Sequence, residues 1–257
     1  MTGFKPVEVW PVDSFAEAVS IVFGGMAKLG PGDDASTRQA LHMLPRRHFT
    51  TVVDAGCGTG RQTLVLAREL GVAIHALDLH QPFLDELQRR AAAQGLAHLV
   101  RPQPLDMAAL ASQFTGVDLL WSEGAAYNLG FAPALAVWAP ALRPGGFAVV
   151  SECSWLTDDP PANARAFWNA AYPSMATVNA NLAAAEQAGF RAVGTFTLPP
   201  EAWVEDFHEI LGPRARGLVD HPNESVRAFA TEILAEIDLF ATAHGSYGYV
   251  FYLLERR

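Results

Sequence analysis

The sequence predicts an α/β protein in which a mostly parallel, seven-stranded sheet carries helices on both faces. Two observations lead to this prediction. Short apolar runs rich in β-branched residues alternate along the chain with segments of helical periodicity, which is typical of strand–helix–strand units. The first of these runs, 52–55, breaks into glycines at alternate positions ahead of a helical segment at 61–70, an arrangement that brings backbone close to a nucleotide-like ligand.

The glycine-rich turn reads Asp-Ala-Gly-Cys-Gly-Thr-Gly over 54–60. A dinucleotide-binding fingerprint would need its third glycine at position 61, where Arg61 stands, and the turn also lacks the lysine of a P-loop. Such a turn after a strand is often purely structural. Its context favours a binding role in which the glycines leave space for a ligand, and the residues expected to contact that ligand are Asp54, Gly56, Cys57, Gly58, Thr59 and Gly60.

An acidic residue ends the second predicted strand, 74–78. Ligands of doubly wound sheets lie beyond the carboxyl ends of the strands, so Asp78 is placed to accept hydrogen bonds from both hydroxyls of a ribose, with Leu79 beside it. The alternative role is a helix N-cap. It is disfavoured because the next helical segment begins near Pro82, which puts Asp78 one turn too early.

A third strand, 99–101, leads to Asp106 and Met107. Two interpretations remain open here. Asp106 accepts from an adenine amino group while Met107 packs on the ring, or Asp106 caps a short helix at 107–112.

The fourth and fifth strands are predicted at 117–121 and 147–151. The fourth runs into a segment, 122–128, that contains Glu123 and Tyr127. The fifth is fed by the tight turn 142–146, Leu-Arg-Pro-Gly-Gly, because proline fixes one turn dihedral and glycine supplies the positive one.

Three further parts are expected to surround this core. An amphipathic amino-terminal helix and a second helix at 35–44 either close over a ligand or pack on the edge of the sheet, and packing is favoured for most of their residues. An aromatic segment, 154–173, leads to a helix at 175–188 and a sixth strand at 190–198. A helical insert that includes 224–243 precedes a last strand at 248–254. The apolar stripe of the first helix is Phe15, Val19, Val22, Phe23 and Met26.

The order of these motifs resembles the class I S-adenosylmethionine-dependent methyltransferases over roughly residues 50 to 155. The residues that carry the resemblance are Asp-Ala-Gly-Cys-Gly-Thr-Gly, Asp78, Asp106, Val-Asp-Leu-Leu at 117–120 and Leu-Arg-Pro-Gly-Gly at 142–146. Further segments, among them Leu-Gly-Pro-Gly at 29–32 and Val-Ser-Glu-Cys-Ser-Trp at 150–155, are similar to a poorly characterised bacterial subgroup of small-molecule methyltransferases.

The resemblance implies a Rossmann-like fold, S-adenosylmethionine as cofactor and methyl transfer to a small-molecule acceptor by in-line displacement. A sulfonium already activates the methyl group, so a base is needed only if the acceptor starts protonated. Glu123 is expected to contact the cofactor or take a proton. Tyr127, Asn128 and His208 are further candidates to orient or deprotonate an acceptor, although His208 more often would be an ordinary polar residue. The remaining expected cofactor contacts are Gly30, Leu79, Asp106 and Met107.

Composition narrows the class of protein. At 257 residues, 50% of them hydrophobic, the chain is long enough for one domain, divided into an amino-terminal helical cap (1–48), a cofactor-binding core (49–155) and acceptor-pocket elaborations with the last two strands (156–257). The net charge of −9 argues against a nucleic-acid partner. Two cysteines without a disulfide pattern suit a cytoplasmic location, and no apolar stretch approaches the roughly 18 residues of a membrane span. No metal-ligand spacing is evident.

Three functions from different classes remain: a small-molecule methyltransferase, a noncatalytic S-adenosylmethionine-binding or regulatory protein, and a nicotinamide-dependent oxidoreductase. The first is favoured. The second would gain support if Glu123 and the aromatic segments fill their own pocket, and Arg61 at the third glycine position disfavours the last.

Overall fold

The structure, a computed structural model, describes residues 12–257, except the side chains of 12–16 and 206. Within this range seven strands form one sheet with the order β3-β2-β1-β4-β5-β7-β6. Strands β1 to β5 are mutually parallel, and β7 is antiparallel to both of its neighbours. The predicted fold class is thereby confirmed. The strands are β1 (Val52–Ala55), β2 (Ile74–Asp78), β3 (Val100–Pro104), β4 (Val117–Glu123), β5 (Leu142–Trp155), β6 (Phe190–Thr197) and β7 (Tyr247–Arg256).

Helices fill the connections between the strands. A π turn (Val204–His208) joins the ninth helix to the tenth, and 3-10 turns precede the fifth helix and flank the sixth. The helices are α1 (Val12–Phe23), α2 (Asp34–Met43), α3 (Arg61–Leu70), α4 (Gln81–Ala93), α5 (Leu110–Gln113), α6 (Phe131–Trp138), α7 (Ala162–Ala171), α8 (Val178–Gln187), α9 (Glu201–Trp203), α10 (Glu209–Leu218) and α11 (Glu224–Ala243).

The predicted boundaries hold best where local chemistry fixes them. Helix α3 and strand β2 coincide with their predicted ranges, whereas β5 extends four residues beyond its predicted end because β7 pairs with it as far as Trp155. Helix α8 begins later than expected, since the Thr177 hydroxyl oxygen accepts from the Ala180 N–H at 3.2 Å and caps it there. Helix α7 falls in the aromatic segment, for which no helix was predicted.

The sheet is buried on both faces. One face carries Trp121 and Phe251, and the other carries Trp138 and Tyr252; all four side chains are fully buried. Every residue of β1 and β4 is buried, which is the expected state of central strands covered by helices on two sides. Polar chemistry is therefore confined to the ends of these strands.

The amino-terminal helix packs differently from the expectation. Val22, Phe23 and Met26 join a cluster with Phe207 and side chains of α10 and α11, so α1 lies on the helical insert rather than on the sheet's edge. The expectation was wrong because the insert presents an apolar surface that sequence periodicity cannot assign to a partner. The predicted core position Phe15 lies outside the described side chains.

A buried carboxylate joins three segments at the amino end of β4. Asp118 accepts from the N–H of Thr50 at 2.7 Å and of Thr51 at 3.1 Å, and from Arg143 Nε at 2.5 Å. Burial alone would raise the pKa of the Asp118 carboxyl, but the hydrogen bonds from Thr50 and Thr51 outweigh it, so the pKa lies below its usual value.

We expect Asp118→Asn to lower the free energy of unfolding by about 1–3 kcal/mol, because the variant loses charge-assisted hydrogen bonds in a buried setting. A carboxyl with a depressed folded-state pKa stabilises above its unfolded pKa of about 3.9, and this contribution disappears as pH falls through the folded-state pKa. Urea titrations at pH 7 should therefore separate the two proteins, and the difference between them should shrink as the pH is lowered below about 3.9. Asp159→Asn, at a side chain 99% exposed, is the control; equal effects of both substitutions would contradict the assignment.

Candidate active site

The glycine-rich turn lies between β1 and α3 with all three glycines in the left-handed region, at φ values of 73°, 53° and 80°. The N–H groups of Gly56 and Cys57 both donate to the Leu77 carbonyl at 2.9 Å, which fixes the turn against the end of β2. A Cβ at Gly56 would lie 2.3 Å from the Ala125 Cβ, and one at Gly60 would lie 2.1 Å from Leu87 Cδ1. Close packing within the chain and positive φ values thus require these glycines. This structural requirement comes in addition to the expected role of leaving space for a ligand.

Asp78 ends β2 beside this turn. Its carboxylate accepts from the Gly58 N–H and from the His80 N–H, each at 2.8 Å. Helix α4 takes His80, not Asp78, as its N-cap residue. The half-buried carboxylate therefore links the turn to β2 at the open edge of the sheet, with Leu79, whose side chain is 69% exposed, directly after it.

Two other predicted contacts lie beneath the turn. Asp54 is fully buried and accepts from the Thr63 hydroxyl at 2.5 Å and from Gln62 Nε2 at 3.4 Å. Burial, reinforced by the negative charge of Glu123 and opposed by the hydrogen bonds, raises the pKa of Asp54 to about 7. The Thr59 hydroxyl donates to the carbonyls of Met26 and Ala27, at 3.0 and 2.8 Å.

The Thr59 contacts hold a loop, 24–33, against the glycine-rich turn. Leu29 closes over Gly58, where an added Cβ would lie 2.9 Å from Leu29 Cδ1, and the Gly32 N–H donates to the Ala202 carbonyl at 3.0 Å. Gly30, an expected cofactor contact, lies half-buried in the same loop. The amino-terminal loop thus forms one wall of the edge at which β1 and β4 end.

Glu123 ends β4 and is almost completely buried. Its carboxylate accepts from the Thr37 hydroxyl at 2.7 Å and from Trp121 Nε1 at 2.8 Å, and forms a short ion pair with the buried Lys28. Three donors therefore already engage the group that the sequence marked as a proton acceptor or cofactor contact. The described contacts give it the role of holding Lys28 and the amino-terminal loop.

Beyond β3, Asp106 accepts from the Ala108 N–H at 2.8 Å and caps a 3-10 turn, while its side chain stays exposed. Met107 Sδ lies 3.7 Å from the Cβ position built at Gly56, so it borders the turn. Of the two interpretations open for Asp106, the cap is observed, and contact with an adenine remains a prediction.

A carboxylate absent from the predicted site lies within β5, one residue after Ser151, which pairs with Glu123 at the end of β4. Glu152 is 1% exposed, and neither of its carboxylate oxygens has a hydrogen-bond partner among the described residues. Burial raises its pKa to about 8, and the nearby Tyr172 hydroxyl offsets this only in part. An acid directly after the predicted strand 147–151 is the signal in the sequence that could have identified it.

The charge of Glu152 acts on three tyrosines, Tyr127, Tyr172 and Tyr249. Tyr127, from the segment after β4, contacts Tyr172 edge-to-face with ring centroids 6.1 Å apart. The Tyr249 hydroxyl of β7 lies 3.8 Å from the Cβ position built at Gly124, directly after Glu123. Burial raises the pKa of both Tyr127 and Tyr249, and the negative charge of Glu152 raises each further; Asp78 acts on Tyr127 in the same way. The charges of Glu152 and Asp78 thus both act on Tyr127, and Asn128 beside it donates to the Ala125 carbonyl at 2.9 Å.

His208 lies elsewhere. It is buried in the π turn between α9 and α10, and Nε2 is 2.8 Å from Glu236 Oε2. Its ring contacts Trp203, Phe207 and Phe240, and Trp203 in turn contacts Tyr249. A cavity of about 420 Å³ opens beside His208 between α10 and α11. In the described contacts His208 thus reaches the end of β4 and β5 only through a layer of aromatic side chains.

Two features, a metal-ligand cluster and a membrane-spanning helix, are absent from the described residues. No group of three or more His, Cys, Asp or Glu side chains is arranged to hold a metal ion. No helix in residues 12–257 has the length and apolar character needed to cross a membrane.

Comparisons with known proteins agree with this geometry. Residues 52–146 match a family described as a methyltransferase domain. The chain is 34% identical to trans-aconitate 2-methyltransferase of Deinococcus radiodurans over 179 residues, which cover 66% of this chain and 61% of that protein. It is 36% identical to malonyl-[acyl-carrier protein] O-methyltransferase of Salmonella typhimurium over 107 residues, 41% of this chain and 40% of that protein. The alignments thus span less than two thirds of either relative.

Among solved structures, a methyltransferase from Thiobacillus denitrificans in complex with S-adenosyl-L-homocysteine superimposes with a TM-score of 0.77 at 23% identity, covering 93% of this chain and 97% of that one. This similarity concerns the fold. The strand order, the sequence of the glycine-rich turn and the match of residues 52–146 to a methyltransferase domain thus agree on the fold of the class I S-adenosylmethionine-dependent methyltransferases.

Proposed function

We propose that this protein catalyses methyl transfer from S-adenosylmethionine to a small-molecule acceptor. One observation carries the proposal: the Asp78 carboxylate, tied to the Gly58 N–H, lies at the open carboxyl edge of the sheet with the exposed Leu79 beside it. An acid at this place suits ribose hydroxyls, and an exposed apolar side chain next to it suits an adenine ring. The methyltransferase-domain match over residues 52–146 and the two relatives, named for methyl transfer to trans-aconitate and to malonyl-[acyl-carrier protein], support the reaction class.

The residues present fit this cofactor. Asp78 would hold the ribose, Leu79 and Met107 would pack on the adenine, and the glycine-rich turn with the loop 24–33 would enclose the remainder. S-adenosylmethionine supplies a methyl group that its sulfonium has already activated. The chain's own task is then to orient the acceptor and exclude water, for which the half-buried tyrosines after β4 and β5 provide the surface.

A noncatalytic S-adenosylmethionine-binding protein is the second candidate, because the three donors on Glu123 leave that carboxylate no evident part in proton transfer. The unpartnered Glu152 favours catalysis, since a buried ionisable group without an internal partner is costly to fold and is common at functional sites. Formation of S-adenosylhomocysteine in the presence of a metabolite extract separates the two. We also propose a cytoplasmic location, which the two free cysteines, Cys57 and Cys153, support.

Calorimetry with S-adenosylmethionine, S-adenosylhomocysteine and NAD tests the cofactor. We expect the first two to bind and NAD not to bind, because Arg61 stands where a dinucleotide-binding turn needs its third glycine. Tighter binding of NAD than of S-adenosylhomocysteine would overturn the proposed function.

Asp78→Ala removes the carboxylate assigned to the ribose. We expect the affinity for S-adenosylhomocysteine to fall about ten- to a hundredfold, since charge-assisted hydrogen bonds contribute roughly 1.5–3 kcal/mol. Asp85→Ala on α4, an exposed carboxylate whose one described partner is Gln81, is the matched control and should leave the affinity unchanged. Wild-type affinity in a folded Asp78→Ala protein would show that Asp78 only connects the glycine-rich turn to β2 and does not bind the ribose.

Glu123→Gln and Lys28→Met separate two roles for Glu123. If Glu123 acts by holding Lys28 and the loop 24–33, each substitution should lower cofactor affinity at least roughly tenfold, about 1.4 kcal/mol, and the double variant should lose little more than either single one. We expect this result. If Glu123 instead contacts the cofactor's cation, Lys28→Met would release the carboxylate and leave the affinity unchanged or raised, so calorimetry on the three variants decides.

A further inference from the structure

Three carboxylates are buried near the carboxyl ends of β1 and β4, and one of them, Glu152 of β5, differs from the others in its hydrogen bonding. Asp54 accepts from Thr63 and Gln62, and Glu123 accepts from three donors. Glu152 is as deeply buried as these two, yet no described donor makes a hydrogen bond of standard geometry to either of its oxygens, and the Tyr172 hydroxyl that acts on it lowers its pKa only in part. Burying an unpaired carboxylate is costly, so its persistence indicates that a ligand supplies the missing donor.

The surroundings of Glu152 define what that donor is. We call Glu152, Tyr127, Tyr172 and Tyr249 the tyrosine pocket. The ionisable groups on which the charge of Glu152 acts include these three tyrosines together with Cys153 and Tyr252, and no Lys, Arg or His among the described residues hydrogen-bonds to its oxygens. A buried carboxylate among aromatic rings, without a basic side chain, attracts a cation and repels an anion.

The tyrosine pocket also borders the place proposed for the cofactor. The charges of Asp78 and Glu152 both act on Tyr127, and the Tyr249 hydroxyl lies near Gly124, directly after the end of β4. Tyr127 is 45% exposed, so the pocket opens to solvent on this side. An acceptor seated there would enter beside the cofactor and not from behind the sheet.

Resting on the proposed function, we propose that the tyrosine pocket binds an amine as the methyl acceptor, and that Glu152 holds its ammonium form and removes its proton. The two relatives are named for carboxylate compounds. Glu152 would repel a carboxylate acceptor, and the tyrosine pocket has no basic side chain to offset that repulsion. A hydroxyl acceptor would offer one donor and no positive charge to a group that has two unpartnered oxygens.

The chemistry balances with one proton and one methyl group. The ammonium gives a proton to a carboxylate oxygen of Glu152, which leaves a lone pair on nitrogen. That pair forms the new nitrogen–carbon bond as the carbon–sulfur bond of the methyl donor breaks, and the electrons of the broken bond remain on sulfur. The products are the N-methylammonium and S-adenosylhomocysteine, and Glu152 returns its proton to water after release.

Binding to the S-adenosylhomocysteine complex tests the acceptor class without turnover. The probes are benzylamine, benzyl alcohol and benzoate, which share a ring and differ in the group presented to Glu152. We expect benzylamine to bind at least tenfold more tightly than the other two. Equal binding, a preference for benzoate, or no binding of benzylamine would overturn the proposal, whereas failure of S-adenosylhomocysteine itself to bind would overturn the proposed function.

Glu152→Gln provides the matched variant, with Glu224→Gln, an exposed position in the first turn of α11, as control. We expect Glu152→Gln to retain cofactor affinity within about twofold and to lose the preference for benzylamine. In the wild type that preference should strengthen as pH rises through about 8, the pKa of Glu152, and the variant should show no such rise.

Stability gives a readout that does not depend on a ligand. A carboxyl with a raised folded-state pKa destabilises the fold above its unfolded pKa, so Glu152→Gln should melt at a higher temperature than the wild type at pH 9 and at the same temperature near pH 4. A loss of cofactor affinity in a stable Glu152→Gln protein would place Glu152 against the cofactor and end the proposal of an amine site.

Discussion

The buried ion pair between Lys28 and Glu123 determines how the amino-terminal part of the chain meets the sheet. Lys28 belongs to the loop 24–33, and Glu123 is the last residue of β4, so the pair connects parts of the chain 95 residues apart. Such a pair stabilises little in net terms, because desolvating both charges offsets their attraction, but removing one partner leaves a buried charge and costs about 3–5 kcal/mol. Its value lies in fixing one position for the loop above the glycine-rich turn.

This position explains the packing of the turn. With the loop held in place, Leu29 covers Gly58 and the carbonyls of Met26 and Ala27 receive the Thr59 hydroxyl. The left-handed glycines accommodate these close approaches, since a side chain at Gly56 or Gly60 would overlap Ala125 or Leu87. A motif that the sequence connects with ligand binding is at the same time the place where four segments of the chain converge.

Carboxyl groups at the two edges of the sheet have different pKa values because their environments differ. Asp118, at the opposite edge, has a lowered pKa because the hydrogen bonds from Thr50 and Thr51 outweigh its burial. Glu152 has a raised pKa, to about 8, because burial dominates and no cation lies beside it. Pairs of carboxyl groups with divergent pKa values often indicate which acid supports the fold and which is available for chemistry.

The sequence by itself determined the alternation of strands and helices in the core, the extent of α3 and β2, and the place of Asp78 at a strand end, because periodicity, glycine and proline act within a few residues along the chain. It also marked Glu123, Tyr127 and His208 as polar residues near the predicted site. Only the tertiary structure decided that Lys28 engages Glu123, that His208 pairs with Glu236 behind aromatic side chains, and that α1 packs on the insert. The tertiary structure also decided that the oxygens of Glu152 have no hydrogen-bond partner among the described residues. This follows from how β5, β7 and the segments after them pack together. Contacts between residues 28 to 95 positions apart follow from how helices and sheet pack in space, and local pattern carries no information on that packing.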